Sequence, residues 1–333
     1  MNNQPDRVST VLLLPSGQRR RFLLLCCVYL VLWQVTWLSA SLLDRHGIVS
    51  PWYLPAGLRF CCLLIFGWRG LLLELTADLL CGLLQFTLPI DRATVFLSDK
   101  PSWLFYGWVA PVLAYAAVLL PLRRWMRDAW DFTRPAHSAL FLVVALAAST
   151  LAALAGTFRM VYTDFLTLAQ WSSILPVWLI GDFIGILTLA PLLLVRVAPG
   201  LQHYLQQGRW PRQHQSGVAN GSADLRTTLI VLLALLLVFG IPWSLELIPH
   251  FPLIALLLLL PLAWVALNYG LRSAVLAVLL LDSGLVLLIA LFDQRDHSLQ
   301  YQFVMIAIAL VGLWLGGAVE ARNRIMARYR DFA

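Results

Sequence analysis

Apolar residues run through this chain in long blocks, and polar residues interrupt them in short ones. Ten blocks can be marked, at roughly 22–43, 52–68, 70–88, 103–122, 137–157, 173–195, 227–245, 252–269, 272–292 and 301–319. Most approach the ~20 residues a helix needs to cross a hydrocarbon core. The second is short, with Pro55 and Gly57 near its start, which predicts a kink. The seventh ends on Ile241-Pro242-Trp243, and the turn between the eighth and ninth is tight. The pattern predicts an all-α fold, a polytopic transmembrane helix bundle of about ten spans.

The polar blocks set the organisation. A basic N-terminus (1–21) precedes a six-span part (22–195), and a four-span part (227–319) leads into an exit helix (320–333). Between the two parts, 196–226 holds the only long polar stretch, PGLQHYLQQGRWPRQHQSGVANGSADLR, whose Pro, Gly, Gln and Ser content predicts a flexible cytoplasmic linker. The run from Phe22 to Leu38 exceeds the ~7–15 residues of a signal-peptide core, so it is read as a retained first span despite the Ser39-Ala40-Ser41 that follows.

Composition excludes a water-soluble domain. The 333 residues are 60% hydrophobic and 12% charged, against about 25% charged in soluble domains. The partner this implies is the lipid bilayer, and the net charge of +7 points to topology rather than to nucleic acid. Of the 24 Lys and Arg, all but Arg45, Arg92, Lys100, Arg159 and Arg295 fall toward the same side. By the positive-inside rule that side, with both termini, is cytoplasmic. Trp52, Trp68, Trp103, Trp125, Trp171 and Trp243 lie near span ends and read as interfacial anchors. The five cysteines sit in apolar runs with no metal-ligand spacing, so neither a disulfide framework nor a metal is expected. No phosphate loop, zinc-protease motif or nucleophile elbow is present, and neither catalytic residues nor a cofactor are expected.

Candidate chemistry lies instead in four acids inside the spans: Glu74, Asp78, Asp182 and Asp282. Each costs about 2.5–3.5 kcal/mol at a helix centre, on the order of 10 kcal/mol together, so they should face the bundle interior. Glu74 and Asp78 share a helical face, which Gly82 and Gln85 extend. Asp182 sits in Gly181-Asp182-Phe183-Ile184-Gly185, whose small residues permit close packing. Arg59, Asn268 and Arg159 are the polar partners in reach. Three readings are open: polar glue between helices, a sensor's small-ligand or ion pocket, and a proton or cation pathway in a transporter. Phe66-Gly67-Trp68-Arg69-Gly70 and Tyr269-Gly270-Leu271-Arg272-Ser273 echo one another, each followed by an acid about three turns on. The echo reads either as a remnant duplication or as common hairpin chemistry.

Four stretches carry a family resemblance. They are Pro51-Trp52-Tyr53-Leu54-Pro55-Ala56-Gly57 leading into the second span, and the Phe66-Gly67-Trp68-Arg69 hairpin. With them go Val177-Trp178-Leu179-Ile180-Gly181-Asp182-Phe183-Ile184-Gly185 followed by Ala190-Pro191-Leu192, and Pro261 to Arg272 in the late hairpin. In these the chain, from about 20 to 320, resembles the first type of bacterial membrane-associated sensor (MASE) domain. The resemblance implies a multi-pass sensory module in a bacterial inner membrane, of the kind found ahead of histidine kinases, diguanylate cyclases and related outputs. It makes Trp52, Pro55, Gly57, Gly181, Gly185 and Pro191 structural motif residues. Asp182, Glu74, Asp78, Asp282, Arg59 and Trp178 become the candidate ligand or signal contacts. Arg59 departs from the apolar pattern and is expected to pair with Glu74 or Asp78.

The exit helix carries Val319, Met326, Tyr329 and Ala333 as a short apolar seam. Since no output domain follows, the expectation is either an excised membrane part or a sensor acting through a separate kinase or cyclase partner, with a homodimer and an unknown small ligand as further partners. A small permease and a non-enzymatic membrane scaffold are the competing functions.

Overall fold

The structure is a computed structural model that describes residues 16–40, 50, 52–87, 102–126, 130–162, 166–209, 220–244, 251–292 and 297–332. Every element among them is helical: α1 (Ser16–Ala40), α2 (Pro55–Phe66), α3 (Trp68–Thr87), α4 (Ser102–Trp125), α5 (Pro135–Tyr162) and α6 (Leu168–Leu192). A π turn (Leu193–Val197) joins α6 to α7 (Ala198–Gln207), and α8 covers Asn220–Ser244. Then come α9 (Phe251–Ala255), a 3-10 turn (Leu256–Leu258), α10 (Leu259–Leu291) and α11 (Ser298–Phe332). Six of the described helices are long and apolar enough to cross a membrane.

Pro191 and Pro199 each remove a backbone donor, and the helix widens into the π turn between them rather than breaking. Helix therefore extends into both ends of the polar stretch 199–226, with residues 210–219 outside the described residues. At the other end of α6, Thr167 and Gln170 form a reciprocal capping box.

The two echoing glycines are both hairpin turns. Gly67 (φ 62°) and Gly270 (φ 73°) adopt a positive φ that disfavours any side chain. Gly67 reverses α2 onto α3, and a methyl on Gly70 would lie 2.5 Å from the Cys62 carbonyl oxygen. Gly270 folds α10 on itself. Leu262 and Val278, equidistant from it in sequence, both reach the space above Gly312 of α11.

The second apolar block is not one kinked helix but an irregular lead-in followed by a short helix. Its helix begins at Pro55, which fits the first turn because no intrahelical donor is needed there. The resulting 12 residues rise only about 18 Å, short of a ~30 Å hydrocarbon core. The segment 52–54 ahead of it is irregular and docks on the middle of α6. Tyr53 N–H donates to the Gly181 carbonyl at 3.2 Å, and a methyl on Gly57 would lie 2.5 Å from the Gly185 carbonyl oxygen. Irregular backbone at membrane depth is tolerated where protein covers it and satisfies its polar groups. The lead-in motif Trp52 to Gly57 and the Gly181 to Gly185 motif are thus two sides of one contact.

Tryptophan placement divides. Trp68 and Trp125 are exposed at helix ends, as anchors should be, but Trp52 is buried at 3%. Trp171 is half-buried and donates its indole N–H to Thr157 at 2.9 Å. The side chains of Trp103 and Trp243 lie outside the described residues.

Gly185→Ala would place a methyl against the Tyr53 carbonyl and should destabilise the bundle by about 1–3 kcal/mol, as overpacking does. Gly240→Ala, where a methyl meets open space, should not destabilise it. Thermal unfolding of both variants in detergent checks the difference.

Candidate functional site

The docked segment brings α2 alongside α1, α3, α4 and α6, and their interior polar residues meet around Arg59. Its guanidinium donates through Nε to Glu74 Oε2 at 3.2 Å and through Nη2 to both oxygens of Asp78 at 3.0 and 3.1 Å. All three side chains are essentially fully buried. The expected pairing is with both acids at once, because one helical turn separates them on the face that α3 turns to α2.

The neighbouring helices complete the set. Tyr29 of α1 donates its phenol to Glu74 Oε1, and Gln34 Nε2 donates to the Ala77 carbonyl at 3.1 Å. Arg59 Cζ lies 5.4 Å from the centre of the Tyr115 ring, in the range of a cation–π contact. The Tyr115 hydroxyl donates to Asp182 Oδ2 at 2.9 Å. One ring thus links the guanidinium to the third acid. Formally, three carboxylates surround one guanidinium, with every acid accepting at least one hydrogen bond from the protein.

The fourth acid is apart from this group. Asp282 of α10 accepts from the Thr188 hydroxyl of α6 at 2.6 Å, while its Oδ1 is buried without a partner. Asn268, proposed as a partner for the acids, donates instead to the Trp264 carbonyl of its own helix and lies on the exposed face. Arg159's side chain, like that of Gln85, lies outside the described residues; Gly82 is buried on α3. Trp178 packs its ring over Gly156, where a methyl would approach within 2.7 Å. Gly181, Gly185, Gly57 and Pro55 form the docking contact, and Pro191 precedes the π turn.

Tyr29, Tyr115 and Thr188 are absent from the sequence reading of the site. The available signal was a hydroxyl inside an otherwise apolar span, which is weak because Ser, Thr and Tyr also satisfy themselves locally in helices.

A second contact set lies where α11 leaves the bundle. Arg324 Nη1 donates to Asp131 Oδ1 and Oδ2 at 3.3 and 3.4 Å and to the Thr133 hydroxyl at 3.3 Å. The backbone of α11 packs against the same loop at Gly317, where a methyl would meet the Phe132 carbonyl. Of the expected seam, Val319 is buried in the bundle, whereas Met326 and Tyr329 are exposed; Ala333 lies outside the described residues.

These features define a multi-pass helical membrane protein with an ionic cluster walled into its interior. Among the described residues no group of His, Cys, Asp and Glu is arranged to hold a metal ion. The chain belongs to the MASE1 family of membrane sensory domains, whose family model matches residues 21–323. Neither a curated protein nor a solved structure matches it.

Arg59→Met would leave Glu74 and Asp78 buried without their cation. Breaking a buried ion pair from one side costs about 3–5 kcal/mol, so this variant should lose most of its thermal stability in detergent. The triple variant R59M/E74Q/D78N should recover much of the loss, which unfolding midpoints of the two proteins will decide.

Proposed function

We propose that this protein is a sensory module of a bacterial inner membrane, with ten crossings and both termini in the cytoplasm. A ligand or membrane state that perturbs the Arg59 cluster shifts the packing of the bundle, and α11 hands that shift to a kinase or cyclase output. The chain itself carries no catalytic step in this reading.

One observation carries it: a line of packed aromatic side chains leads from the helix that carries Arg59 to the loop that holds the exit helix. Phe60, next to Arg59, meets Phe141 edge-on at 5.5 Å between ring centres. Phe141 in turn meets Phe132 at 5.3 Å and Trp130 at 5.9 Å, also edge-on. Phe132 follows Asp131, which grips Arg324. A displacement of α2 therefore has a rigid route to the loop that holds α11. Close-packed interiors pass on such displacements because they have no slack to absorb them.

A ligand can shift the packing only through different affinities for its two forms, and a buried, multiply bonded ion cluster supplies a large difference when one contact is exchanged. Helix α6 supports a parallel connection. It carries Asp182 in the cluster and Thr188 on Asp282, and in the π turn that continues it Arg196 donates to the Arg272 carbonyl at 2.8 Å.

With a diguanylate cyclase fused after Ala333, Asp78→Asn and Asp182→Asn should each change cyclic di-GMP output several-fold while the protein still inserts. Phe141→Leu should leave output unresponsive to those changes. Folded D78N, D182N and F141L proteins with unaltered output would instead assign the acids to packing.

The loop's grip is pH-dependent. Partial desolvation works upward on the Asp131 carboxyl, but hydrogen bonds from Thr133 and then the charges of Arg324 and Arg134 outweigh it and hold the group below its ordinary value. A depressed carboxylate contributes stability above the unfolded value of about 3.9, and that contribution is lost as pH falls through the folded value. Spin labels on the 130–134 loop and on α11 should report a distance distribution that broadens on acidification below about pH 3.9. In Asp131→Asn the distribution should be broad at every pH.

A further inference from the structure

The two echoing hairpins differ in how the arginine that reaches across each of them is neutralised. At the Gly270 hairpin, Arg196 reaches across from the π turn after α6 and its Nη1 donates to Asp224 at 3.1 Å. Glu320 lies beside the same hairpin, 3.1 Å from where a side chain on Gly270 would begin, and pairs with Arg324 of its own helix at 3.7 Å. At the Gly67 hairpin, Arg123 reaches across from the end of α4 in the same manner. Its Nη2 donates to the Ile65 carbonyl at 3.1 Å, and its guanidinium lies against Gly67. Arg69 follows Gly67 by the same two positions as Arg272 follows Gly270, and its Cζ lies 5.8 Å from the centre of the Trp68 ring. No described carboxylate pairs with Arg69 or Arg272, and, unlike Arg196, Arg123 has none either. Partial desolvation, and then the neighbouring charge of Arg69, weaken the hold of Arg123 on its proton relative to a free arginine.

We propose that Arg69 and Arg123 together bind the phosphate of an anionic phospholipid at the corner where the α2–α3 hairpin meets α4. Guanidinium forks match phosphate oxygens in pairs, which a single surface lysine does not. The lipid source follows from the surroundings. Trp68, 45% exposed, and Trp125, 74% exposed, flank the two arginines at the ends of apolar helices, where aromatic rings lie at headgroup level. Basic pockets between membrane helices are a recurrent headgroup site. The phosphate takes the place that Asp224 fills at the second hairpin, and the assignment does not depend on the sensory reading.

The test uses the full chain, transferred into mixed phosphatidylcholine and phosphatidylglycerol micelles, with retained lipids counted by native mass spectrometry. Phosphatidylglycerol should be retained in preference. Each arginine near a charged membrane surface is worth roughly a fivefold change in binding, so R69Q/R123Q should lose about thirtyfold of that preference. R328Q, on the exposed part of α11, should lose none. If the double variant does not fold, R69Q and R123Q singly should each lose roughly fivefold. Equal retention of the two lipids, or unchanged retention in folded R69Q and R123Q, overturns the proposal. Displacement of the phosphatidylglycerol by inorganic phosphate would overturn the lipid assignment and leave a site for a free anion.

Discussion

A guanidinium in a membrane interior must be neutralised and its donors must be occupied, and the packing of half this bundle follows from that requirement at Arg59. Moving such an ion out of water costs several kcal/mol even after relaxation. Glu74 and Asp78 take its donors from α3, and the Tyr115 ring of α4 covers it. Each of those groups then needs partners of its own, which Tyr29 of α1 and Asp182 of α6 join. Five helices are thereby fixed around one charge. The arrangement is costly to build and costly to break from one side.

The docking of 52–54 on α6 makes this cluster possible. The half-length α2 starts at the glycine face of α6, backbone on backbone, and the Tyr53 N–H ahead of it is satisfied there. From the same helix, Phe60 begins the aromatic contacts that end at the Asp131–Arg324 grip. Packing contacts thus run from the helix that carries Arg59 to the loop that holds the exit helix.

The membrane class, the apolar blocks and the burial of Glu74, Asp78, Asp182 and Asp282 were all legible in the sequence. Each follows from the free energy of transferring single residues into hydrocarbon, which needs no knowledge of neighbours. The Arg59 pairing was also legible, because an arginine in an apolar span has few places to go. The twin hairpins could be read from Gly67 and Gly270, since a tight reversal needs the positive φ that glycine alone adopts freely.

Other features depended on which helices meet. Asn268 and Asp282 have similar sequence settings, yet one faces outward onto its own helix and the other inward onto Thr188. Trp52 has the position of an interfacial anchor and is buried, because the segment carrying it folds back onto α6. Tyr29, Tyr115 and Phe141 look like ordinary aromatic residues of apolar helices until the bundle brings them to Glu74, Asp182 and Phe60. The sequence by itself determined that these charges must be hidden in a membrane-embedded helical protein, since that is a one-body cost of solvation. Only the tertiary structure decided which partners hide them, because hydrogen bonds and ring contacts between helices distant in sequence depend on approach and angle, which no local pattern encodes.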